Sequence, residues 1–262
     1  MQITKITDLG SEAVLPYVGL NEKQLKRYYE PDFGLFICES EKVIRRALAA
    51  GYEAESFFVA EEKLDIAGEL AGEDIPIYTA PESVMQKITG YSLTGGMLCA
   101  MKRKPTVPLK EILSASNRIV ILDDVENPTN VGAIFRSAAA LGADAVLLTA
   151  GCTDPLYRRA ARVSMGTVFA LDWAYVEGGF AEEMHREGFS LVALALTDDA
   201  ISLREIRPGT EKIAVVLGNE DHGISDELLG ACDHHVIIPM ERGVDSLNVA
   251  AASAVAFWKL FY

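Results

Sequence analysis

The sequence predicts an α/β protein of two domains, and three observations support this fold class. Apolar, β-branched runs alternate with helical patterns along the chain, which is typical of parallel sheets covered by helices on both faces. Half of the 262 residues are hydrophobic, enough to fill one large core or two modest ones. The segment KRKPTVP at residues 102–108 then interrupts the alternation with prolines and cations, as a linker does.

Periodicity in the first part of the chain predicts a small α/β unit. The helix at 41–50 is amphipathic, with Val43 and Ala47 on its inner face and Arg45 and Arg46 on its outer face. The predicted elements are a helix at 22–29, a strand at 33–38, the helix at 41–50, strands at 56–60 and 75–79, a helix at 82–88 and a strand at 97–101. We therefore expect residues 1–104 to form one domain and residues 105–117 to form a linker and entry segment.

From residue 118 onward the strands become more apolar and regularly spaced, which predicts a second domain at residues 118–262 built on a parallel sheet. The predicted strands are 119–122, 145–149, 168–171, 191–196, 213–217 and 236–238. The predicted helices are 131–141, 156–165, 181–187, 226–231 and 247–261.

Composition excludes several classes of protein. The four cysteines lie far apart in the sequence, so we expect free thiols in the reducing cytoplasm. His234 and His235 are neighbours on a predicted strand and point to opposite faces, so we expect no metal site. The amino terminus has no secretory pattern, and the apolar stretch at 247–262 is shorter than a membrane span. A cytoplasmic protein without a membrane anchor is expected.

The net charge of -14 is unusual for a protein that binds nucleic acid. Residues 1–110 carry 13 basic and 16 acidic side chains, and residues 111–262 carry 11 and 22. A protein of this composition that binds RNA must concentrate its few cations where phosphate passes.

Three segments in the second half combine glycine, proline and small polar residues at strand ends and helix starts. They are NPTNVGAIFRSAAALG at 127–142, GNEDHGIS at 218–225 and IPMERGVDSLNVAAA at 238–252. The last two follow apolar strands directly, which is the pattern of a ligand site at the carboxyl edge of a parallel sheet. Gly223 is expected to take a positive φ in its loop.

In this order, the three segments resemble the motifs of the SpoU (TrmH) branch of the SPOUT RNA methyltransferases. More loosely, residues 34–62 resemble the small, ribosomal-protein-like α/β domain that binds substrate RNA in many members. The resemblance implies a SPOUT domain with a C-terminal trefoil knot, a homodimer formed through that domain, and S-adenosylmethionine as cofactor. The implied reaction is methylation of a ribose 2'-hydroxyl in ribosomal or transfer RNA.

The resemblance also implies site residues. The catalytic set is Asn130, Arg136, Glu220, Ser246 and Asn248. The cofactor-binding set is Leu217, Gly218, Asn219, Ile238, Met240, Ser246 and Leu247.

Four of these polar residues also have a plain structural interpretation. Asn130 and Ser246 are good helix N-caps, and Glu220 fits a solvated turn. Arg136 lies on an otherwise apolar helix, where it needs either an anionic ligand or an ion pair with a nearby acid.

Two groups of cations are candidates for contact with the RNA backbone. Arg158, Arg159 and Arg162 fall at helical spacing in the acidic half of the chain, and Lys102, Arg103 and Lys104 lie in the linker. Solvated surface charge is the alternative for both groups.

Three functions remain open on the sequence alone. The first is an S-adenosylmethionine-dependent RNA 2'-O-methyltransferase. The second is a non-catalytic RNA-binding or ribosome-assembly protein that retains the fold. The third is a nucleotide-binding enzyme of Rossmann type, which the missing G-x-G-x-x-G motif disfavours.

Overall fold

The computed structural model describes residues 2–30, 32–89, 95–206 and 212–262. The chain forms two compact units. The first comprises Met1–Pro105 together with Leu156–Phe169, and the second comprises Thr106–Pro155 together with Ala170–Tyr262. Residues 156–169, which were expected in the second domain, therefore pack in the first unit.

The helices and strands of the chain follow in order. Residues before the linker form β1 Ile3–Lys5, α1 Leu15–Val18, α2 Glu22–Lys26, β2 Leu35–Glu39, α3 Glu41–Ala49, β3 Ala54–Ala60, α4 Leu64–Ala71, β4 Ile77–Ala80, α5 Glu82–Thr89 and β5 Met97–Lys102. Later residues form α6 Leu109–Ala115, β6 Arg118–Leu122, α7 Pro128–Ala140, β7 Ala145–Leu148, α8 Arg158–Val163, β8 Asp172–Tyr175, α9 Phe180–Arg186, β9 Phe189–Leu194, β10 Ile201–Ser202, β11 Lys212–Leu217, α10 Asp226–Gly230, β12 His234–Ile237 and α11 Val249–Phe261.

The first unit is built on a five-stranded mixed sheet in the order β1-β4-β3-β5-β2. β5 runs antiparallel to both of its neighbours, while β1, β4 and β3 are parallel. Phe58, Leu98 and Met85 are fully buried in the core beside this sheet. The α3 prediction is confirmed, because Val43, Ile44 and Ala47 face the core and Arg45 and Arg46 are exposed.

The second unit is built on a seven-stranded sheet in the order β10-β12-β9-β11-β6-β7-β8. Every neighbouring pair is parallel, which confirms the predicted parallel sheet. β11 lies between β9 and β6, with Val215 opposite both Val192 and Val120. All three valines are buried, because helices cover both faces of a parallel sheet. The trefoil knot stays a prediction.

One predicted strand is wrong. Residues 168–171 do not pair in the sheet. A 3-10 turn occupies Thr167–Phe169, and β8 begins only at Asp172. Phe169 instead packs with the aromatic rings of Phe36 and Tyr52 in the first unit. The first part of this apolar run, up to Phe169, therefore packs in the first unit. Only the residues from Asp172 onward enter the sheet of the second unit.

Five elements were missing from the predictions, namely β1, α1, α4, α6 and β10. α6 lies inside the segment expected to be a linker, and its Ile112 and Leu113 are buried in the core of the second unit. β10 has only two residues, too few for any periodicity to be visible. In the described parts of the chain, no helix is both long and apolar enough to cross a membrane.

Candidate active site

A cleft of about 700 Å³ lies at the carboxyl edge of the second sheet, where the neighbouring strands β12, β9 and β11 all end. Because parallel strands end at a common edge, the loops that follow them meet around one crevice. The cleft is lined by residues 194–197, 217–224, 236–238, 240 and 245–249, and by Asp226, Leu229 and Ala252.

The structure brings the predicted cofactor-binding residues together in this lining. Leu217, Gly218, Asn219, Ile238, Met240, Ser246 and Leu247 all contribute to it. Glu220 and Asn248, from the predicted catalytic set, line the same cleft, and Glu220 is exposed. Asn130 and Arg136 do not belong to the lining.

The loop after β11 is closed by its own backbone. Asn219 and Gly223 exchange two backbone hydrogen bonds, of 2.9 and 3.0 Å. A Cβ atom at Gly218 would lie 2.3 Å from the carbonyl carbon of Gly223 and 2.5 Å from the amide nitrogen of Ile224. Only glycine fits at this position, and the reason is the closure of the loop. Gly223 has a φ of 75°, which confirms the predicted positive φ.

Side chains fix this loop against the end of β6. The Asn219 side-chain amide donates to the Asp124 carbonyl at 2.8 Å, and its oxygen accepts from the Asp221 amide at 2.8 Å. The buried Asp123 carboxylate accepts from the Ser225 amide at 2.7 Å. With its side chain used in this way, Asn219 presents mainly its backbone to the cleft. Asp123 was not among the predicted site residues, although its position directly after a buried strand is a signal that could have found it.

The third motif forms the opposite wall and then starts α11. Asn248 is the N-cap of α11, since its side-chain oxygen accepts from the Ala250 amide at 3.0 Å. The alternative interpretation of Ser246 as the N-cap is therefore wrong. Ser246 is exposed and lies in the lining of the cleft, where its hydroxyl is available to a ligand.

Asn130 is not an N-cap either. α7 begins at Pro128, and Asn127 caps it by accepting from the Thr129 amide. Asn130 is 7% exposed inside the helix, and its side-chain oxygen accepts from the Asn248 side-chain amide at 3.1 Å. This bond ties the start of α7 to the start of α11, so Asn130 acts on the cleft through Asn248.

Arg136 lies six residues after Asn130 on α7, about 9 Å further along the helix axis, and is exposed. No ion pair or hydrogen bond to it exists among the described residues, so the alternative of a salt bridge with a nearby acid is wrong for that part of the chain. Its guanidinium is therefore available to an anion that the chain does not supply.

The two groups of predicted RNA-binding cations have contacts within the first unit. The buried carboxylate of Glu39 accepts from Arg158 Nε at 2.9 Å and from Arg162 Nη1 at 3.1 Å. Arg159, between them, is exposed. An interior carboxylate is thus an alternative to phosphate as the partner of Arg158 and Arg162.

The linker cations also contact neighbouring residues. Lys102 lies 3.6 Å from Glu53 and 3.7 Å from Glu55. Arg103 donates to the Leu35 carbonyl, and Lys104 donates to the Ala50 carbonyl at 2.7 Å while lying over the ring of Tyr52. These contacts anchor the end of β5. Lys102 and Lys104 remain exposed at the surface.

Metal or thiol chemistry has no support in the described residues. They contain no cluster of three histidine, cysteine or acidic side chains able to hold a metal ion. The four cysteines are free. Burial raises the pKa of Cys152 to about 11 and that of Cys232 to about 12, so both thiols stay protonated near neutral pH.

Comparison with known proteins identifies the family. Residues 117–258 match the model of the SpoU rRNA Methylase family. An uncharacterized tRNA/rRNA methyltransferase of Mycobacterium bovis is 37% identical over 86% of this chain and 80% of its own length. The chain belongs to the SpoU rRNA methylase family. The resemblance of the three sequence motifs to the SpoU branch is confirmed.

Two further relatives bear on the chemistry. The 23S rRNA (guanosine(2553)-2'-O)-methyltransferase of Bacillus subtilis is 28% identical over 86% of this chain and 88% of its own length. The crystal structure of an AdoMet-bound rRNA methyltransferase from Sinorhizobium meliloti is 25% identical. It covers 99% of this chain and 97% of its own, with a TM-score of 0.85.

Proposed function

We propose that this SpoU protein is an S-adenosylmethionine-dependent RNA methyltransferase that modifies a ribose 2'-hydroxyl. The observation that carries the proposal is the cleft at the ends of β9, β11 and β12, in which all seven predicted cofactor residues meet. The curated relative from Bacillus subtilis is a 2'-O-methyltransferase of rRNA, and the structural relative from Sinorhizobium meliloti binds AdoMet. Both support the enzyme over a non-catalytic RNA-binding protein.

The cleft suits an adenosine-containing cofactor. Its volume of about 700 Å³ lies within the usual range for small-molecule sites. Leu217, Ile238, Met240 and Leu247 supply apolar walls, and the closed loop at Gly218 presents backbone polar groups. When bound, S-adenosylmethionine supplies an activated methyl group on a sulfonium. The residues of the chain have to hold the acceptor hydroxyl in line with it and stabilise the charge that develops on oxygen.

We assign that stabilisation to Arg136. A guanidinium is almost never deprotonated in proteins, so it is a poor base, but its planar fork suits an RNA phosphate or a developing alkoxide. Arg136 is exposed on α7 and has no partner among the described residues. This is what we expect of an arginine that binds an anion of the substrate. To Ser246, Asn248 and Glu220 we assign the orientation of the acceptor ribose, because all three line the cleft. To Asn130 we assign the positioning of Asn248, to which it is hydrogen-bonded.

The test is methyl transfer from labelled S-adenosylmethionine to total RNA, followed by analysis of the modified nucleosides. We expect 2'-O-methylated nucleosides from the wild type. Arg136→Ala should lower the transfer rate on the order of 10²–10³-fold, the usual effect of removing one group that stabilises a developing oxyanion. Its affinity for S-adenosylmethionine by calorimetry should stay unchanged, because Arg136 is outside the lining.

Arg186→Ala is the matched control, since Arg186 is another exposed arginine on a helix of the same unit and its Nε donates to the Glu182 carbonyl. It should transfer methyl groups normally. Normal turnover by Arg136→Ala would contradict the site assignment. RNA binding without transfer by the wild type would favour the non-catalytic alternative, and failure to bind S-adenosylmethionine would contradict the cofactor.

We further propose that RNA is held through exposed cations, of which Arg159, Lys102 and Lys104 are the best placed, and that the protein works in the cytoplasm as a homodimer. The support for a dimer is α11, whose Val255 and Trp258, with Tyr262 directly after the helix, form an apolar face that is 43%, 64% and 72% exposed. An apolar stripe of this kind on a folded domain is typical of a subunit interface.

A further inference from the structure

The imidazole of His235 joins three segments of the second unit. Its Nδ1 lies 3.0 Å from both carboxylate oxygens of Asp199, and its Nε2 lies 3.0 Å from the carbonyl oxygen of Leu229. A carboxylate and a backbone carbonyl both accept hydrogen bonds and cannot donate them. Both ring nitrogens of His235 must therefore carry a proton, and the arrangement fits the imidazolium cation.

The three joined segments form walls of the cleft. Asp199 lies two residues beyond Thr197, which lines the cleft after β9. Leu229 lines it from the end of α10, and Val236, the next residue after His235, lines it from β12. Breaking either hydrogen bond would remove the side-chain link between β12 and one of the other two walls.

We propose that His235 is a positioning residue whose protonated imidazole holds the walls of the S-adenosylmethionine cleft, so that cofactor affinity falls when the imidazole loses its proton. We refer to His235, Asp199 and Leu229 together as the clamp. The proposal rests on the proposed function, because it takes the cleft to be the cofactor site. It adds a residue outside the three motifs and a dependence on pH.

The direction of the pH effect follows from the contacts. The hydrogen bond to Asp199, and then that to the Leu229 carbonyl, raise the pKa of His235 above its usual value of about 6.5. The contribution of the imidazolium is therefore complete below pH ~6.5 and is lost as the pH rises through the raised pKa. The pKa of Asp199 is lowered, first by the Thr197 hydroxyl and then by His235, so this carboxylate stays charged throughout that window.

Other charged groups near His235 do not provide an equivalent contact. Asp233 at the start of β12 accepts from the Leu191 amide at 2.8 Å and lies 3.2 Å from His185. His222 lines the cleft and lies 4.0 Å from Asp124, so it needs its own control. The remaining charged side chains on the elements around His235 are His234, Asp198, Arg204, Glu205, Asp226 and Glu227, all exposed or half-buried.

The experiment measures S-adenosylmethionine affinity by calorimetry between about pH 5.5 and about pH 8.5, a range set by the usual histidine pKa of about 6.5. For the wild type we expect affinity to fall on the order of tenfold as pH rises through the window, the equivalent of one charge-assisted hydrogen bond. His235→Gln should bind weakly at every pH and lose this step. The amino group of the ligand titrates equally for all variants and cancels in the comparison.

His222→Gln and His185→Gln are the controls. Both should keep the pH step, because His222 is not part of the clamp and His185 pairs with Asp233 outside the lining. The proposal would be overturned if the affinity of His235→Gln showed a pH step as large as that of the wild type, because the substitution would then lower affinity by the same factor at every pH. A wild type that does not bind S-adenosylmethionine at all would instead overturn the proposed function.

A second measurement covers the case in which His235→Gln does not fold. Asp199→Asn keeps the histidine and its bond to Leu229 while removing the charge, so affinity should decline at a lower pH than in the wild type. Nitrogen-detected NMR of the free protein should show both His235 ring nitrogens protonated near pH ~6.5 and a lower pKa in Asp199→Asn. Titration of His235 at an unchanged pH in that variant would also refute the clamp.

Discussion

At Gly218 the chain leaves β11 and returns on itself within five residues, and this turn determines the shape of one wall of the cleft. The atoms nearest to a methyl group added there are backbone atoms of Gly223 and Ile224, which cannot rotate away as a side chain would. The shape of the cleft therefore depends on the absence of a Cβ atom at residue 218.

Gly218→Ala should lower the free energy of unfolding by about 1–3 kcal/mol, the usual cost of forcing a methyl group into a packed site. It should also weaken S-adenosylmethionine binding, because the loop must open to relieve the contact. Urea unfolding and calorimetry measure the two effects. Gly230→Ala is the control, since a Cβ atom there meets nothing within 4 Å, and it should be neutral or slightly stabilising. Equal effects of the two substitutions would show that loop closure is not the reason for Gly218.

Single residues were the hardest level to predict. The three motifs place Ser246, Leu247 and Met240 in the cleft, and the structure does the same. The N-cap residues suggested for α7 and α11, Asn130 and Ser246, were both wrong. Asparagine and serine are equally good caps, and the sequence offers several of them within three positions. His235 and Asp199 were missed altogether, since their 36-residue separation carries no local signal.

Among the elements, α8 differs most from its prediction. Its three arginines suggest a phosphate-binding surface, but two of them reach Glu39 on β2, more than 100 residues earlier in the sequence. The carboxylate of Glu39 is fully buried, while the side chains of Arg158 and Arg162 are 20% and 29% exposed. A buried carboxylate with two cationic partners holds the helix in place, and that explains why α8 belongs to the first unit.

Glu39→Gln should destabilise the protein by about 3 kcal/mol, because removing one partner of a buried pair leaves the others desolvated without compensation. Chemical denaturation measures the change. Arg45→Ala is the control, since Arg45 forms an exposed pair with Glu41, and pairs of that kind contribute little. If Glu39→Gln were as mild as the control, α8 would be held by packing alone and its arginines would be available to RNA.

Strands were predicted more accurately than connections. Most of the sheet was visible as apolar runs, since strands of a parallel sheet are buried on both faces and contain little else. Failures such as α6, β10 and the strand expected at 168–171 are short segments whose structure depends on a distant partner. Phe169 illustrates the point, because its partners Phe36 and Tyr52 precede it by more than 100 residues.

At the scale of the whole molecule, the charge of -14 has to be reconciled with an RNA substrate. A few localised cations still gain affinity by releasing counterions from the RNA, and the excess acid on other surfaces then limits non-specific binding. The exposed apolar face of α11 is the other feature at this scale. The rings of Trp258 and Tyr262 stack on each other at 5.2 Å while remaining exposed, which is costly for a monomer in water.

We expect the wild type to sediment with a mass about twice the 28.4 kDa of the chain. Trp258→Glu should shift it to the monomer, because a carboxylate in the centre of an apolar interface would be buried without a partner. Analytical ultracentrifugation over a range of concentrations measures the equilibrium. Phe33→Glu, at another exposed aromatic residue in the first unit, should leave the mass unchanged. A monomeric wild type would contradict the proposed dimer.

The placement of residues 156–169 in the first unit has a consequence for truncation of the protein. The crossover between β7 and β8 packs its alanines, Ala160 and Ala161, within the first unit. Deleting residues 1–105 would strip that crossover of its core and leave Arg158 and Arg162 without their carboxylate. A truncated second half should therefore be insoluble or prone to proteolysis at this crossover, so the second half is not expected to fold as an independent domain.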